Sequence, residues 1–357
     1  MSQSILARSP NWVGDAVMSL PFFASLKKNA PDANVVCLTR SHLVPLYADA
    51  EGVDRVIILD ESAGRSGLRS QWRNAGALRR ERFDMVFCLP PSFGSALMLW
   101  MARINERVGH AADGRRWLLT RSLPYGRNGH RPHRTDGYLA LLDLIWPGSE
   151  KVRALSFRAG KHVQDRVSRL WQQSGPVDFE LVLAVGPGAA QPNKLWPDER
   201  FAALARRWIE STGGAVVLVG GPAERELCTR VARAVDKPAV FDFSGVGDLA
   251  FSAEIIRRSD MCVANDSGLS HLAAAVGTPT VVISGPGDPA EVAPYTPIAV
   301  TVKKPVFCSP CYRNDCWRRD LPLECQMLVT VDDVWNALVA LHARSGGGGS
   351  EPRTIDA

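Results

Sequence analysis

The sequence predicts an α/β protein made of two doubly wound, parallel-sheet domains in tandem, and three observations carry that reading. The chain of 357 residues exceeds the usual size of a single domain. Short apolar runs alternate with helix-spaced segments in both halves, as parallel strands joined by crossover helices do. The rhythm loosens after Trp146-Pro147-Gly148 and restarts at Glu180. This places a first domain at 1–175 and a second at 176–343, with the last helix free to pack back on the first domain. A Gly-rich, polar tail at 344–357 is expected to be disordered.

In the first half, Ser4–Arg8 reads as a strand and leads into Ser9-Pro10-Asn11-Trp12-Val13-Gly14-Asp15. Ala16 to Lys28 has helical apolar spacing, with Pro21 in its first turns, where proline is tolerated or kinks the helix. Asn34–Leu38, Val53–Leu59 and Phe83–Leu89 read as further strands. Glu61–Arg82 reads as loop and helix, Ser92–Met101 as helix, and Arg158–Gln173 as a polar helix crossing between domains. The second half follows with strands at Glu180–Val185, Gly214–Val219, Ala239–Phe243, Met261–Ala264 and Thr280–Ser284. Helices are expected at Pro197–Ser211, Ala223–Val235, Leu249–Arg258, Leu272–Val276 and Val331–Ala343.

Composition narrows the function. A hydrophobic content of 46% with 22% charged residues describes an ordinary globular protein. No apolar run reaches the roughly 18 residues of a membrane span. The first residues lack the basic head and apolar core of a signal peptide, so a cytoplasmic location is expected. Residues 1–175 carry 25 Lys and Arg against 15 Asp and Glu, whereas the remainder carries 17 against 22. A basic first half suits an acidic partner or is simply solvated surface. Without aromatic–basic interleaving it does not point to nucleic acid.

Ligands of doubly wound sheets bind at the carboxyl ends of the strands, and the unusual residues fall there. Asn265-Asp266-Ser267-Gly268-Leu269-Ser270-His271 joins an apolar strand to a small-residue helix. The unpaired amides and positive dipole end of such a helix form an anion site, with His271 about one turn in. The other reading is an Asp/Ser cap on an ordinary βα turn. Gly186-Pro187-Gly188-Ala189-Ala190 with Lys194-Leu195-Trp196-Pro197 gives a small-residue loop that a phosphate can approach, and a lysine to meet it. It matches neither a Walker A loop nor G-x-G-x-x-G. Glu224, after Gly220-Gly221-Pro222, suits ribose hydroxyls or a helix start equally. Asp15 is placed to take a proton from an acceptor hydroxyl, or to cap the helix from Ala16. Cys308-x2-Cys311-x4-Cys316-x8-Cys325 has the thiols for zinc but not the spacing of a common zinc module. A buried thiol cluster or redox-sensitive loop is the other reading.

Taken in order from about residue 4 to 335, these motifs resemble glycosyltransferase family 9, the ADP-heptose:lipopolysaccharide heptosyltransferases. The matching stretches are Ser9–Met18, Gly186–Ala190 with Lys194-x-Trp196-Pro197, Gly220-Gly221-Pro222, Asn265–His271, Gly285-Pro286-x-Asp288-Pro289 and Cys308-Ser309-Pro310-Cys311. The resemblance implies a GT-B fold, two Rossmann-like domains facing a central cleft, with an inverting transfer of heptose from ADP-heptose to the lipopolysaccharide inner core. On the matching positions it implies Asp15 as general base and Lys194 on the diphosphate, beside the backbone of Gly188, Ala189 and Ala190. Glu224 would hold the ribose, and Asp266, Ser267, Gly268 and His271 would line the diphosphate and sugar pocket. It implies no metal and no cofactor besides the donor substrate, and an acidic glycolipid acceptor at the inner face of the membrane. The enzyme would then be cytoplasmic and peripheral to that membrane. Another nucleotide-sugar donor or acceptor on the same fold, or a non-catalytic nucleotide-sugar-binding module, remain the alternatives.

Overall fold

The structure, a computed structural model, describes residues 3–61, 68–126 and 131–345. The chain divides into two compact units, residues 1–154 and 155–357. The first comprises β1 (Ser4–Arg8), α1 (Val13–Met18), α2 (Leu20–Asn29), β2 (Asn34–Thr39), α3 (Val44–Tyr47), β3 (Arg55–Ile58), α4 (Leu68–Glu81), β4 (Met85–Cys88), α5 (Phe93–Met101), β5 (Glu106–Ala111), β6 (Arg121–Pro124) and α6 (Arg134–Ala140). The second comprises α7 (Lys161–Ser174), β7 (Val182–Gly186), α8 (Asp198–Thr212), β8 (Ala215–Leu218), α9 (Arg225–Val235), β9 (Val240–Asp242), α10 (Leu249–Arg257), β10 (Met261–Asn265), α11 (Gly268–Ala275), β11 (Thr280–Ile283), α12 (Pro289–Val292), β12 (Ala299–Val302), α13 (Glu324–Met327) and α14 (Val331–Ser345).

Among the described residues each unit holds one six-stranded sheet, in the orders β3-β2-β1-β4-β5-β6 and β12-β11-β10-β7-β8-β9. Every strand pair is parallel. Both sheets therefore wind outward in two directions from a central pair, β1/β4 in one and β7/β10 in the other. The crevice at such a reversal is where open α/β sheets take ligands. Central strands covered on both faces must be apolar throughout, and Ile5, Leu6, Ala7, Leu183, Val185, Met261 and Val263 are all fully buried.

Several expectations change. The single helix from Ala16 to Lys28 is two helices, broken at Ser19, because Pro21 has no N–H to continue the ladder and instead sits in the first turn of α2. The division between units precedes the helix that was expected to cross between domains. That helix, α7, buries Val163, Val167 and Trp171, and Trp171 stacks on Phe243 with ring centroids 6.1 Å apart. Its apolar stripe therefore belongs to the second unit, and the boundary lies at 154 rather than 175. The closing helix is likewise bound into the second unit, with Val334, Trp335, Leu338 and Leu341 in that core. Arg344 and Ser345 continue it, so the tail begins later than 344, and residues 346–357 lie outside the described residues. Residues 62–67 of the stretch read as loop and helix, Glu61–Arg82, also lie outside them. Strands β5 and β6 carry polar or mixed residues, so they gave no apolar run to read, and β12 (Ala299-Val300-Thr301-Val302) adds a further strand that was not expected.

Trp208 on α8 is fully buried among Leu183, Val216 and Val231 in the second unit's core. Trp208→Ala is expected to destabilise that unit by about 3–5 kcal/mol, measured as a lowered urea midpoint of its unfolding transition.

Candidate active site

In the second unit, Ala264 of β10 stands beside Gly186 of β7 in register, so the loops leaving these strands run side by side. Gly186 has no room for a side chain. A Cβ there would stand 2.7 Å from Leu269 Cδ2, so the glycine lets α11 settle against the strand end. Asn265, fully buried, ties the loops together. Its Nδ2 donates to the Pro187 carbonyl at 2.7 Å, and its Oδ1 accepts from the Trp196 N–H at 3.1 Å. Trp196 is itself buried, and its indole N–H donates to the Val329 carbonyl at 2.9 Å. The turn between those points carries Lys194 (Pro192–Lys194) and is pinned from outside. Asn193 Nδ2 donates to the Arg313 carbonyl at 2.7 Å and Gln191 Nε2 to Asn314 Oδ1 at 2.8 Å.

Held this way, Lys194 places its ammonium 2.9 Å from Asp266 Oδ2. The carboxylate is buried and the lysine partly exposed, so the lysine balances the buried charge from the solvent side. Asp266 is fixed further by its own N–H, which donates to the Ile283 carbonyl at 2.8 Å. Ser267 is the N-cap residue of α11, yet its side chain makes no capping bond. Gly268 opens the helix, and the first amides of a helix have no partner within it. Lys194 and this helix start form a positively polarised corner at the β7/β10 crevice. His271 is buried on the same helix.

Glu224 lies beside the first of these loops. A Cβ on Gly188 would fall 1.9 Å from Glu224 Oε1, so only glycine allows the carboxylate to lie on the backbone there. Glu224 Oε2 accepts from the Gly221 N–H at 2.6 Å. The helix-start role that the sequence left open is therefore present, next to the glycine loop. Ala189 is half-buried and Ala190 exposed beyond it. Burial pushes the Glu224 carboxyl above the usual glutamate range, and the Gly221 N–H pulls it partly back.

Asp15 lies in the first unit, in the first turn of α1 after the loop that leaves β1. Trp12 is the N-cap residue of α1 and no side chain caps it, so Asp15 is not the cap that its position before Ala16 suggested. The loop is clamped from below. The buried Arg8 guanidinium donates to the Ser9 and Leu38 carbonyls and to Asn11 Oδ1, and Ser9 Oγ donates to Thr39 Oγ1 at 2.8 Å. Burial lowers the Arg8 pKa to about 10. Asp15 Oδ1 pairs with Arg134 Nη1 at 3.3 Å. Arg134 opens α6, which is docked on α1 by Thr135 Oγ1 donating to the Met18 carbonyl at 3.0 Å. Burial works against the Arg134 charge, but Asp15, Tyr138 and Tyr125 more than offset it, so its pKa is raised.

The structure thus brings Gly188, Ala189, Ala190, Lys194, Glu224, Asp266, Ser267, Gly268 and His271 onto the loops and helix starts that follow the strands of one sheet, and places Asp15 after the first strand of the other. It adds two residues that were not singled out, Asn265 and Arg134. Asn265 began the motif, but nothing local in the sequence shows that its amide spans to Pro187 and Trp196. Arg134 is one of the many basic residues of the first half, and the sequence around it gives no sign of its partner. Cys308, Cys311, Cys316 and Cys325 line one pocket with Arg318. Burial, then the other three thiols, raises the Cys325 pKa. Among the described residues no group of three or more His, Cys, Asp or Glu side chains is arranged to hold a metal ion.

Two doubly wound parallel units, one with a helix-start anion corner and the other with a carboxylate after its first strand, have the fold of the GT-B glycosyltransferases. The sequence model of glycosyltransferase family 9 (heptosyltransferase) matches residues 71–321, and the chain belongs to this family. It is 27% identical over 310 residues to lipooligosaccharide heptosyltransferase 2 of Haemophilus influenzae, covering 84% of this chain and 88% of the relative. It is 28% identical to lipopolysaccharide heptosyltransferase 2 of Salmonella typhimurium over 308 residues, 80% of this chain and 83% of that one. The fold matches that of Escherichia coli ADP-heptose lps heptosyltransferase II with a TM-score of 0.78 at 23% identity, over 96% of this chain and 99% of that one. The protein is a glycosyltransferase.

Two outcomes test this geometry. Asn265→Ala leaves the buried Pro187 carbonyl and Trp196 N–H without partners. It is expected to cost about 2–4 kcal/mol of second-unit stability, measured by chemical denaturation. For Glu224 the sign follows from its raised pKa. Below the unfolded-chain value the folded carboxyl is protonated and carries no penalty, whereas above the raised value the full cost of the partly buried charge is present. Glu224→Gln should therefore melt no lower than the parent at neutral pH, and any advantage should shrink on acidification through that window.

Proposed function

We propose that this enzyme transfers heptose, with inversion, from ADP-heptose to the Kdo or heptosyl-Kdo-lipid A of the lipopolysaccharide inner core. The observation that carries the reading is Lys194, held at the opening of α11 by Asp266, where leaving-diphosphate charge would develop. The names of the relatives supply the donor and acceptor classes.

In this scheme the acceptor hydroxyl attacks the anomeric carbon. The new C–O bond forms as the bond to the diphosphate breaks, and ADP leaves with the electron pair. Asp15 takes the hydroxyl proton, and Arg134 holds the carboxylate in place. The Lys194 ammonium and the first amides of α11 stabilise the departing charge. The backbone at Gly188, Ala189 and Ala190 lies along the diphosphate, Glu224 holds the ribose, and Ser267, Gly268 and His271 line the sugar side. Asp266 acts through Lys194, because a carboxylate does not itself attract phosphate. No metal ion and no further cofactor enters the scheme. The acceptor's lipid implies work at the inner face of the membrane, with the enzyme cytoplasmic and peripheral to it. No helix among the described residues is long and apolar enough to cross a membrane.

A non-catalytic binder would need donor loops but no base, and the paired Asp15 and Arg134 favour catalysis. Calorimetric titration should show binding of ADP-heptose in preference to UDP- and GDP-sugars. Asp15→Ala should leave that binding intact and lower turnover at least 100-fold or so. Preference for a uridine or guanosine sugar would sink the named donor. Unchanged turnover in Asp15→Ala would remove the base assignment.

A further inference from the structure

Helix α5 buries Met98 and Leu99 in the first unit's core, with Ala102 just past its end, and Ala96 against Leu118 and Leu119. Its remaining face is not polar. Phe93, Leu97 and Trp100, at spacings of four and three residues, form one stripe in which Phe93 and Leu97 are half-buried and Trp100 is 47% exposed. Trp117 joins the two ends of this stripe. Its ring centroid lies 6.1 Å from Phe93 and 6.4 Å from Trp100, and it is 65% exposed. The result is a continuous aromatic patch on a surface that water otherwise faces.

The stretch of chain that carries it is mainly basic. Residues 68–123 contain ten arginines and four acidic residues. Each of the four carboxylates is engaged by its own fold. Glu81 pairs with Arg55 and Glu106 with Arg121, Asp84 accepts from the Ser4 N–H, and Asp113 accepts from the Phe93 N–H. Exposed Arg103 follows Trp100 by three residues, and exposed Arg116 adjoins Trp117. Tryptophan settles at the level of lipid headgroups, and arginine is drawn to anionic ones.

We propose that the face formed by Phe93, Leu97, Trp100 and Trp117, with Arg103 and Arg116 beside it in the chain, docks on the headgroup region of an anionic phospholipid bilayer. The inference rests on the heptosyltransferase reading only in that a lipid-borne acceptor gives the enzyme reason to sit there. A second copy of the chain fits the face poorly, since pairing like faces would bring arginine against arginine.

The test is flotation of the full chain with vesicles of phosphatidylcholine, alone or with about one-third phosphatidylglycerol, at low and physiological salt. The wild type should float with the anionic vesicles, less so at higher salt, and scarcely with the neutral ones. The double variant Trp100→Ala/Trp117→Ala keeps the core intact and should lower the bound fraction roughly tenfold, with Arg103→Glu/Arg116→Glu acting in the same direction. Equal flotation of wild type and the tryptophan variant overturns the proposal, as does no flotation of the wild type. A dimer that the tryptophan variant dissolves also overturns it, in favour of self-association. ADP-heptose titration reads the donor assignment separately. A chain that floats as expected yet fails to bind ADP-heptose keeps its docking face and loses the heptosyltransferase reading.

Discussion

The buried side chain of Asn265 holds the second unit's site in one shape. A primary amide has a donor and an acceptor at fixed separation, and here each end satisfies a backbone group that would otherwise be stranded in the interior, the Pro187 carbonyl and the Trp196 N–H. Satisfied buried pairs of this kind make alternative loop conformations expensive, because any shift leaves a polar group without water or partner. Lys194 lies in the span that Asn265 closes, and Asp266 is the next residue along the chain. The ion pair between them is therefore set by a neutral amide that touches neither charge.

The two units use one topology for different ends. Both sheets reverse direction between their first and fourth strands, so each presents a crevice at the same place. In the second unit, glycines and small residues open the backbone there, and a helix start and a lysine supply positive character. In the first, a loop clamped by Arg8 leads into α1, whose one carboxylate is steadied by an arginine from α6. Fold alone does not distinguish these uses, since the side chains at the strand ends decide them.

Much of this was legible in the sequence, for a physical reason. Central parallel strands are buried on both faces and announce themselves as apolar runs, and the residues that follow them fall at the ligand end by topology. That logic put Asp15, Lys194, Glu224 and Asp266 after strands, and the structure has them there. It failed where the chain is polar in regular structure, as in β5 and β6, and where one proline divides a helix whose apolar spacing continues across the break. It also could not find Arg134 or the span of Asn265. Their importance lies in partners 119 residues away for Arg134 and 69 for Trp196, and local pattern carries no record of such distances.

The Lys194–Asp266 pair has a consequence for selectivity. Because the lysine keeps its buried counter-ion, an anion arriving there under the proposed function would meet the attraction of Lys194 less the repulsion of the Asp266 carboxylate behind it. An anion that reached the lysine alone would gain little. A diphosphate would gain more, because it is long enough to meet the lysine and the helix amides at the same time. The internal carboxylate would thus trim the pull of the corner, so that only a ligand spanning both features is held firmly.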